Sequence, residues 1–547
     1  MVSVRPFGLL LAVLLVALVA VPWGDARTSS ATGGPSDLFG DGSDGPITFS
    51  VNTEFTPPVD AVVVSGTAGG TTLTVSSASG AFEPGQKIMI HQSRGGSAAL
   101  DQPNWELNTV QSYALGNLIT STALQNSYAS GGADAAQVLV VPQYTDVSVD
   151  VGVTVSAKAW DGSKGGVLAI LSNGTVSVGG TISANGNDGG GGDVNSSSQV
   201  PGGAGRGFRG GRAFGNETGV TTTSEQGESQ VGTGSQATSA NGMGGGGATA
   251  TPTGLYAAGG GGGYSTSGTN GTPGTGTSVG GTGGGTGGTV DLTTMLFGGA
   301  GGGGVIAGGG LAGGGGGGGG IIFVMAESLT AAGVITATGG DGGDSGNVSS
   351  GGGGAGGSLL IKAKSAAFGS ALLTATGGAA GTTSPPSSDA QGDGGAGRIR
   401  VEYCTSISGG IADPPASIAQ ISCDVDTDLD GCSDSQEKGP DEQAGGLRDP
   451  KNFWDFYDID TENGAGAGTH LQGAISLSNI FQVANRFGQA GDSGIDPLSD
   501  ASGAGYHTRY DRGPQAGANI WNTGPADGAV ALSDVFAIAA QFAHSCI

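Results

Sequence analysis

Residues 426–437, DTDLDGCSDSQE, place acidic side chains at alternate positions and end on a glutamate, the spacing DxDxDGxxxxxE of a calcium loop. A hard divalent ion takes several oxygen ligands at once, and alternating carboxylates supply them. Asp426, Asp428 and Asp430 stand at loop positions 1, 3 and 5, with Glu437 at position 12 placed to bind through both oxygens. Gly431 permits the sharp turn, Cys432 offers its backbone carbonyl, and Asp434 can coordinate directly or through a water. An acidic, solvated linker is the simpler alternative. With every fixed position filled, calcium is the better reading, and it points to an extracellular setting.

Other residues that could do chemistry are sparser. Asp188 with Asp193, and Asp341 with Asp344, are acid pairs that could serve as acid and base in glycan cleavage, although Asp beside Gly is ordinarily a turn residue. His91, His470, His507 and His544 are scattered without HExxH spacing, and no CxxC occurs, so the chain carries no zinc signature. GxGxxG arises by chance among 118 glycines, and no GK[ST] follows a glycine-rich loop, which removes nucleotide binding. Trp105 and Trp160 could line a glycan site; tryptophans in strands more often anchor a core.

The elements that position these groups are set by an unusual composition. Lysine and arginine number 19 against 45 acids, a net charge of -26, so contact with nucleic-acid phosphates would be repulsive. Aromatic residues are 5% of the chain, which leaves backbone hydrogen bonds and small aliphatic side chains to hold the fold and favours sheets over helical bundles. The start reads as a secretory signal over 1–26: Arg5, an apolar run over 9–21, then Gly24 and Ala26 for cleavage, with an uncleaved anchor as the alternative. No second apolar segment of membrane length follows, so the mature chain is expected to have no membrane span. Cys404, Cys423, Cys432 and Cys546 form an even set, as expected for two disulfides in an exported protein. Of the three connectivities, Cys404 with Cys423 and Cys432 with Cys546 is favoured.

Residues 27–46 read as a flexible linker, and 47–160 as an all-β unit of short β-branched strands bounded by Gly, Pro, Ser and Asn. Over 161–403 a repeat survives the low complexity: a glycine pair, an aliphatic strand, then TISANG, VITATG or LLTATG at 181–186, 334–339 and 372–377. A unit of about twenty residues suits one coil of a β-solenoid, whose neighbours stack to bury the aliphatic positions. Within it, 189–319 is a glycine-rich insert. Two outcomes are open for that insert: a disordered, solvated loop, or polyglycine strands in the polyproline II form joined by interchain hydrogen bonds. The expected fold is therefore mainly β: an all-β and β-solenoid-like N-terminal and central region with a long insert, and a small α-helical C-terminal domain. Residues 404–450 form a calcium-loop junction, read as a stiffened hinge, and 451–547 a duplicated domain.

The duplication is GAISLSNIFQVANRF at 473–487 and GAVALSDVFAIAAQF at 528–542. Ser478 and Ser533 are placed to cap helices, with Ile480, Phe481, Ala484 and Phe487 on one face of the first, and Val535, Phe536, Ala539 and Phe542 on one face of the second. This tail resembles a dockerin-type domain, and the loop before it is similar to thrombospondin-type calcium repeats. The second copy keeps Asp527, Gly528 and Asp534 of the family's loop and lacks its earlier ligands; the first keeps Asp458 and Asp460 and has Asn479 where Asp is usual. The central region is similar to glycine-rich, adhesin-like secreted proteins of environmental bacteria. The resemblances imply a secreted, non-catalytic structural or adhesive protein at the cell surface, with surface polysaccharide, matrix, a cohesin-like protein or itself as partner. The rival is a secreted polysaccharide lyase or hydrolase carrying a dockerin-like tail.

Overall fold

The computed structural model describes residues 38–95, 104–194, 199–216, 220–253, 255–274, 276–345, 349–383, 392–421, 430, 432–459, 474–495, 497 and 505–546. The fold is mostly β. Seven strands lie side by side in one parallel sheet, in the order Ile47–Phe49, Val147–Val149, Val167–Val178, Ile321–Ala331, Ser358–Ala367, Arg398–Ser408 and Ser417–Gln420. Each of the first six leads into a short strand of a second parallel sheet, Thr53–Phe55, Thr154–Ala157, Thr181–Ser183, Val334–Thr336, Leu372–Thr374 and Ile411–Asp413. Equivalent repeats stack in register: Leu168, Ile322, Leu359 and Ile399 are successive partners, as are Ile182, Ile335 and Leu373. These side chains fill one core together with Phe49, Phe55 and Phe368. The opposite face of the long strands is covered as well, by Trp160, Phe208, Met243, Tyr264 and Phe297. Burial on both faces is why the strands are continuously aliphatic rather than alternating.

The expected boundary at 160/161 cuts across this first sheet, because Val147–Val149 pairs with the later strand Val167–Val178. What interrupts the repeats is a barrel. Six antiparallel strands, Asp60–Gly66, Thr72–Ser76, Asn117–Thr120, Trp105–Ala114, Lys87–Arg94 and Ala135–Val140, pair in that order, and the last pairs with the first. Closure leaves no free edge and encloses Ala61, Val63, Leu73, Ile88, Ile90, Leu118 and Val138. The expected linker is also revised in its described part. Phe39 is buried against the strand Val167–Val178 and its neighbours, and Asp44 accepts a hydrogen bond from the Gln143 N–H (2.7 Å), so residues 38–46 are tied to the body.

Buried polar groups fix the barrel against the rest. Glu228 receives Arg94 (3.1 Å), Arg209 (2.9 Å) and the Trp160 indole N–H (3.2 Å), joining barrel, sheet and insert at one carboxylate. Asp60 pairs with both Lys158 and Lys164. Burial alone would raise the Asp60 pKa, and the two ammonium groups more than offset it, so the carboxyl titrates below its usual range. His91 is fully buried, with Nδ1 2.9 Å from Ser93 Oγ and Nε2 2.8 Å from the Met295 carbonyl. Burial drives its pKa down to about 4, with the Met295 bond opposing, and keeps the ring neutral at pH 7. Trp160 is a core anchor, and Trp105 is half-buried with its N–H donated to the Leu292 carbonyl (2.8 Å).

Along its glycine runs the insert takes the second of its two outcomes, and between them it forms short strand pairs such as Gly191–Val194 with Gly310–Gly313 and Thr222–Thr223 with Thr249–Ala250. Along the unbroken run 313–320, Gly313, Gly316 and Gly319 donate to Ser349, Gly352 and Ala355; Gly314, Gly317 and Gly320 donate to Gly190, Asn187 and Ala184; Gly315 and Gly318 donate to Gly211 and Phe208. Three directions served in strict rotation are the signature of a polyproline II helix, which turns once in about 3 residues. The run also accepts, Gly313, Gly316 and Gly319 from residues 304, 301 and 298, and Gly314 and Gly317 from residues 343 and 340. Neighbours approach so closely that a Cβ on Gly315 would sit well inside 3.0 Å of the Gly301 carbonyl oxygen. The entropy cost of ordering glycine is met by backbone hydrogen bonds that no other residue could approach closely enough to form here.

The tail contains two nine-residue helices, Leu477–Asn485 and Leu532–Ala540. Their N-caps are Ser476 and Ala531, not Ser478 and Ser533; Asn479 and Asp534 reach back to accept the backbone N–H groups of those caps (2.8 and 2.7 Å). That reach buries Asn479 and Asp534, and with them Val483 and Ile538 one turn later on the same face. Phe481 and Phe536 follow the capping residue by two positions, about 200° around the helix, and so point outward. They are 59% and 61% exposed, and Ala484, Phe487, Ala539 and Phe542 are exposed as well, while Ile480 and Val535 of the expected faces pack half-buried against the core.

Two outcomes are expected. Gly315→Ala should destabilise the protein by about 3 kcal/mol or more, whereas Gly285→Ala, whose new Cβ would meet only an ordinary contact at 3.5 Å, should shift stability by less than about 1 kcal/mol; urea unfolding measures both. Because folding lowers the His91 pKa, its contribution is complete above pH 6.5 and is lost as pH falls toward about 4, removing on the order of 3 kcal/mol. His91→Gln should flatten the stability profile between those values, and an unchanged slope would exclude His91 as its source.

Candidate metal centre

The loop that opened the sequence reading continues into a four-residue helix, Asp434–Glu437, after Ser433. The Cys432 N–H donates to Asp430 Oδ1 (2.8 Å), the short turn that alternating carboxylates require. Of the predicted ligands, Asp426 and Asp428 lie outside the described residues. Asp430 and Glu437 are brought together. Asp434 is in the first turn of the helix, with Oδ2 3.5 Å from Lys438 Nζ. Cys432 is bound through Sγ to Cys546, the favoured pairing, which closes 114 residues of chain. Cys404 is also disulfide-bonded, and Cys423 lies outside the described residues.

A third carboxylate meets Asp430 and Glu437. Ligand oxygens of Asp430, Glu437 and Asp455 all lie within 4.8 Å of one another, and the three residues are 1%, 0% and 0% exposed. Asp455 belongs to no loop template, and only the folded chain places it here. Its Oδ2 accepts the Asp449 N–H (2.8 Å), while Oδ1 is buried with no hydrogen-bond partner. Burial raises the Asp455 pKa to about 6 despite that hydrogen bond and the charge of Arg448.

Arg448 acts on all three carboxylates, and Arg512 acts on Asp430. The five hydrogen bonds of Arg448 go to the carbonyls of Asp455, Glu442 and Gly446, to Gln541 Oε1 and to His544 Nδ1. Five bonds match the five N–H groups of a guanidinium, so the charge acts on the triad while the donors point elsewhere. Soft and nitrogen ligands are likewise committed: Cys432 Sγ to the disulfide, and His544 Nδ1 to Arg448. What faces the centre is carboxylate oxygen, the donor set of a hard cation.

The loop's second half is built into the tail. Cys432 is buried in one core with Phe456, Tyr457, Ile459, Ile475, Val483, Tyr510 and Ile538, and Arg448 reaches Gln541 and His544 across the expected boundary at 450/451. Residues 432–459 therefore belong with the helices rather than standing as a hinge between two units.

The acid pairs have other roles. Asp188 Oδ1 accepts the Asp341 N–H, Asp341 Oδ1 the Ala379 N–H, and Asp344 Oδ1 the Thr382 N–H, at 2.9, 2.7 and 2.8 Å, so each ties one repeat to the next. The Asp193 side chain lies outside the described residues. Asp188, Asp341 and Asp344 do line an open groove of about 530 Å³ with Leu311 and Ser345. Among the described residues no helix is long and apolar enough to cross a membrane. Comparison with family models, curated proteins and solved structures finds no match to this chain.

Replacing Cys432 and Cys546 together by serine should cost about 2–5 kcal/mol, read as a lower urea midpoint for the tail, with faster proteolysis after residue 430. Equal stability of the variant and the oxidised parent would show that the core holds this region without the cross-link.

Proposed function

We propose that this protein is a secreted structural or adhesive component of a cell surface, non-catalytic, with a calcium-stabilised C-terminal region. The glycine bundle carries the proposal. Its interior is backbone hydrogen bonds, and outer segments such as 265–272 keep glycine inward at Gly268 and Gly271 while exposing Thr266, Ser267, Thr269 and Asn270. The two stacked parallel sheets support a β-solenoid-like reading of the body, and the paired helices are compatible with a degenerate dockerin-like tail. A long, weakly charged, hydroxyl-bearing surface suits many weak contacts with surface polysaccharide, matrix, a cohesin-like protein or further copies of the chain, and multiplicity converts weak contacts into avidity. Disulfides and a calcium loop that uses Asp426, Asp428, Asp430, the Cys432 carbonyl, Asp434 and Glu437 both suit an oxidising, calcium-rich exterior.

The groove lined by Asp188, Asp341 and Asp344 favours one rival, a secreted polysaccharide lyase or hydrolase. Against it, one oxygen of each carboxylate is already held by a backbone N–H of the neighbouring repeat.

The expected result is recovery of the protein in the extracellular or envelope fraction, with binding to cells, glycans or itself that weakens in chelator. Absence of binding with and without calcium would leave a passive coat role. Turnover of pectin, alginate or glucan, lost in Asp341→Asn, would establish the enzyme instead.

A further inference from the structure

We infer that Asp455 is a calcium ligand supplied from outside the loop, so that the ion joins the loop to the core of the tail. The inference rests on the calcium reading of residues 426–437 and extends it to a residue that no loop template contains.

Three observations lead there. Asp455 is fully buried, its Oδ1 has no hydrogen-bond partner, and a ligand oxygen of its carboxylate lies within 4.8 Å of those of Asp430 and Glu437. A buried carboxylate oxygen in that state is costly unless a cation meets it. The spacing fits: oxygens bound to one calcium at about 2.4 Å lie no more than about 4.8 Å apart, the limit that all three carboxylates satisfy. Charge fits as well. Three carboxylates outnumber the guanidinium groups of Arg448 and Arg512 that act on them, so the buried site keeps a net negative charge that a cation would neutralise.

Position gives the site its consequence. Asp455 precedes Phe456 and Tyr457, both fully buried in the tail core, and its carbonyl accepts Arg448 Nε (3.0 Å), the same guanidinium that reaches Gln541 and His544 near the Cys432–Cys546 disulfide. An ion held by Asp430, Glu437 and Asp455 therefore completes the tail's own packing. It acts as a brace within one folded unit.

The test is calcium titration by calorimetry into the metal-free full chain, its Asp455→Asn variant, and Asp492→Asn as a surface control. The parent and the control should bind alike, and Asp455→Asn should bind at least tenfold more weakly. In the parent chain, calcium should also slow hydrogen exchange of the peptide containing residues 453–459, a readout that needs no variant. If the parent binds calcium while Asp455→Asn binds equally well and exchange over 453–459 is unchanged, Asp455 is no ligand and the loop reading stands alone. If the parent binds no calcium, the loop reading fails and this inference with it.

Discussion

The structure depends on how closely peptide backbones can approach one another. At the centre of the insert, carbonyl oxygens occupy the space that a Cβ would need, so the bundle exists only where side chains are missing. Each three-residue turn sends its N–H groups in three directions, and a segment surrounded by like segments can satisfy all of them. A single glycine-rich segment in water has neither neighbours nor apolar area to offset its entropy. The bundle is thus cooperative: each helix is stable because the others are present.

The parallel sheets supply the rigid wall that the bundle needs. Their outward aliphatic row, with Phe323 and Leu360, meets Trp160, Phe208, Tyr264 and Phe297, large side chains at the edges of glycine runs. Phe297 packs edge-on to Trp160 and Phe208 at 5.2 and 5.3 Å. Phe39 and Trp105 join them at this seam. The barrel closes the seam from its other side through Met89, Leu139 and the buried carboxylate of Glu228. Breaking that carboxylate's partners would leave an uncompensated charge in a dry interface, which makes the three-way junction specific as well as stable.

The tail follows a different physical plan, with small helices, one disulfide in the described core and dense polar contacts. Arg512 lies 3.7 Å from the Tyr457 ring centroid, and Tyr457 donates to the Tyr510 carbonyl (2.7 Å). A domain of this size has little apolar area, and cross-links and ions commonly make up the difference. The outward phenylalanines of the two helices belong to the same arrangement, since the faces that became the core were chosen by the capping residues Asn479 and Asp534.

Strand content, the stacked repeat and the presence of disulfides were legible in the chain because each is a local pattern or a parity: aliphatic runs bounded by glycine, equal spacings, an even number of cysteines; the parity left three connectivities open, and the fold pairs Cys432 with Cys546. Asp430 and Glu437 were legible for the same reason, through one template. Asp455 was not, because eighteen residues separate it from Glu437 and no periodicity links them; the buried core around Tyr457 brings it in. The barrel's closure, the membership of residues 147–157 in the later sheet and the outward turn of Phe481 likewise depend on which partner each backbone meets. Composition alone left the glycine insert between disorder and order. The choice fell to order because hydrogen bonds among polyproline II helices are made between segments far apart in sequence, where no local reading can count them.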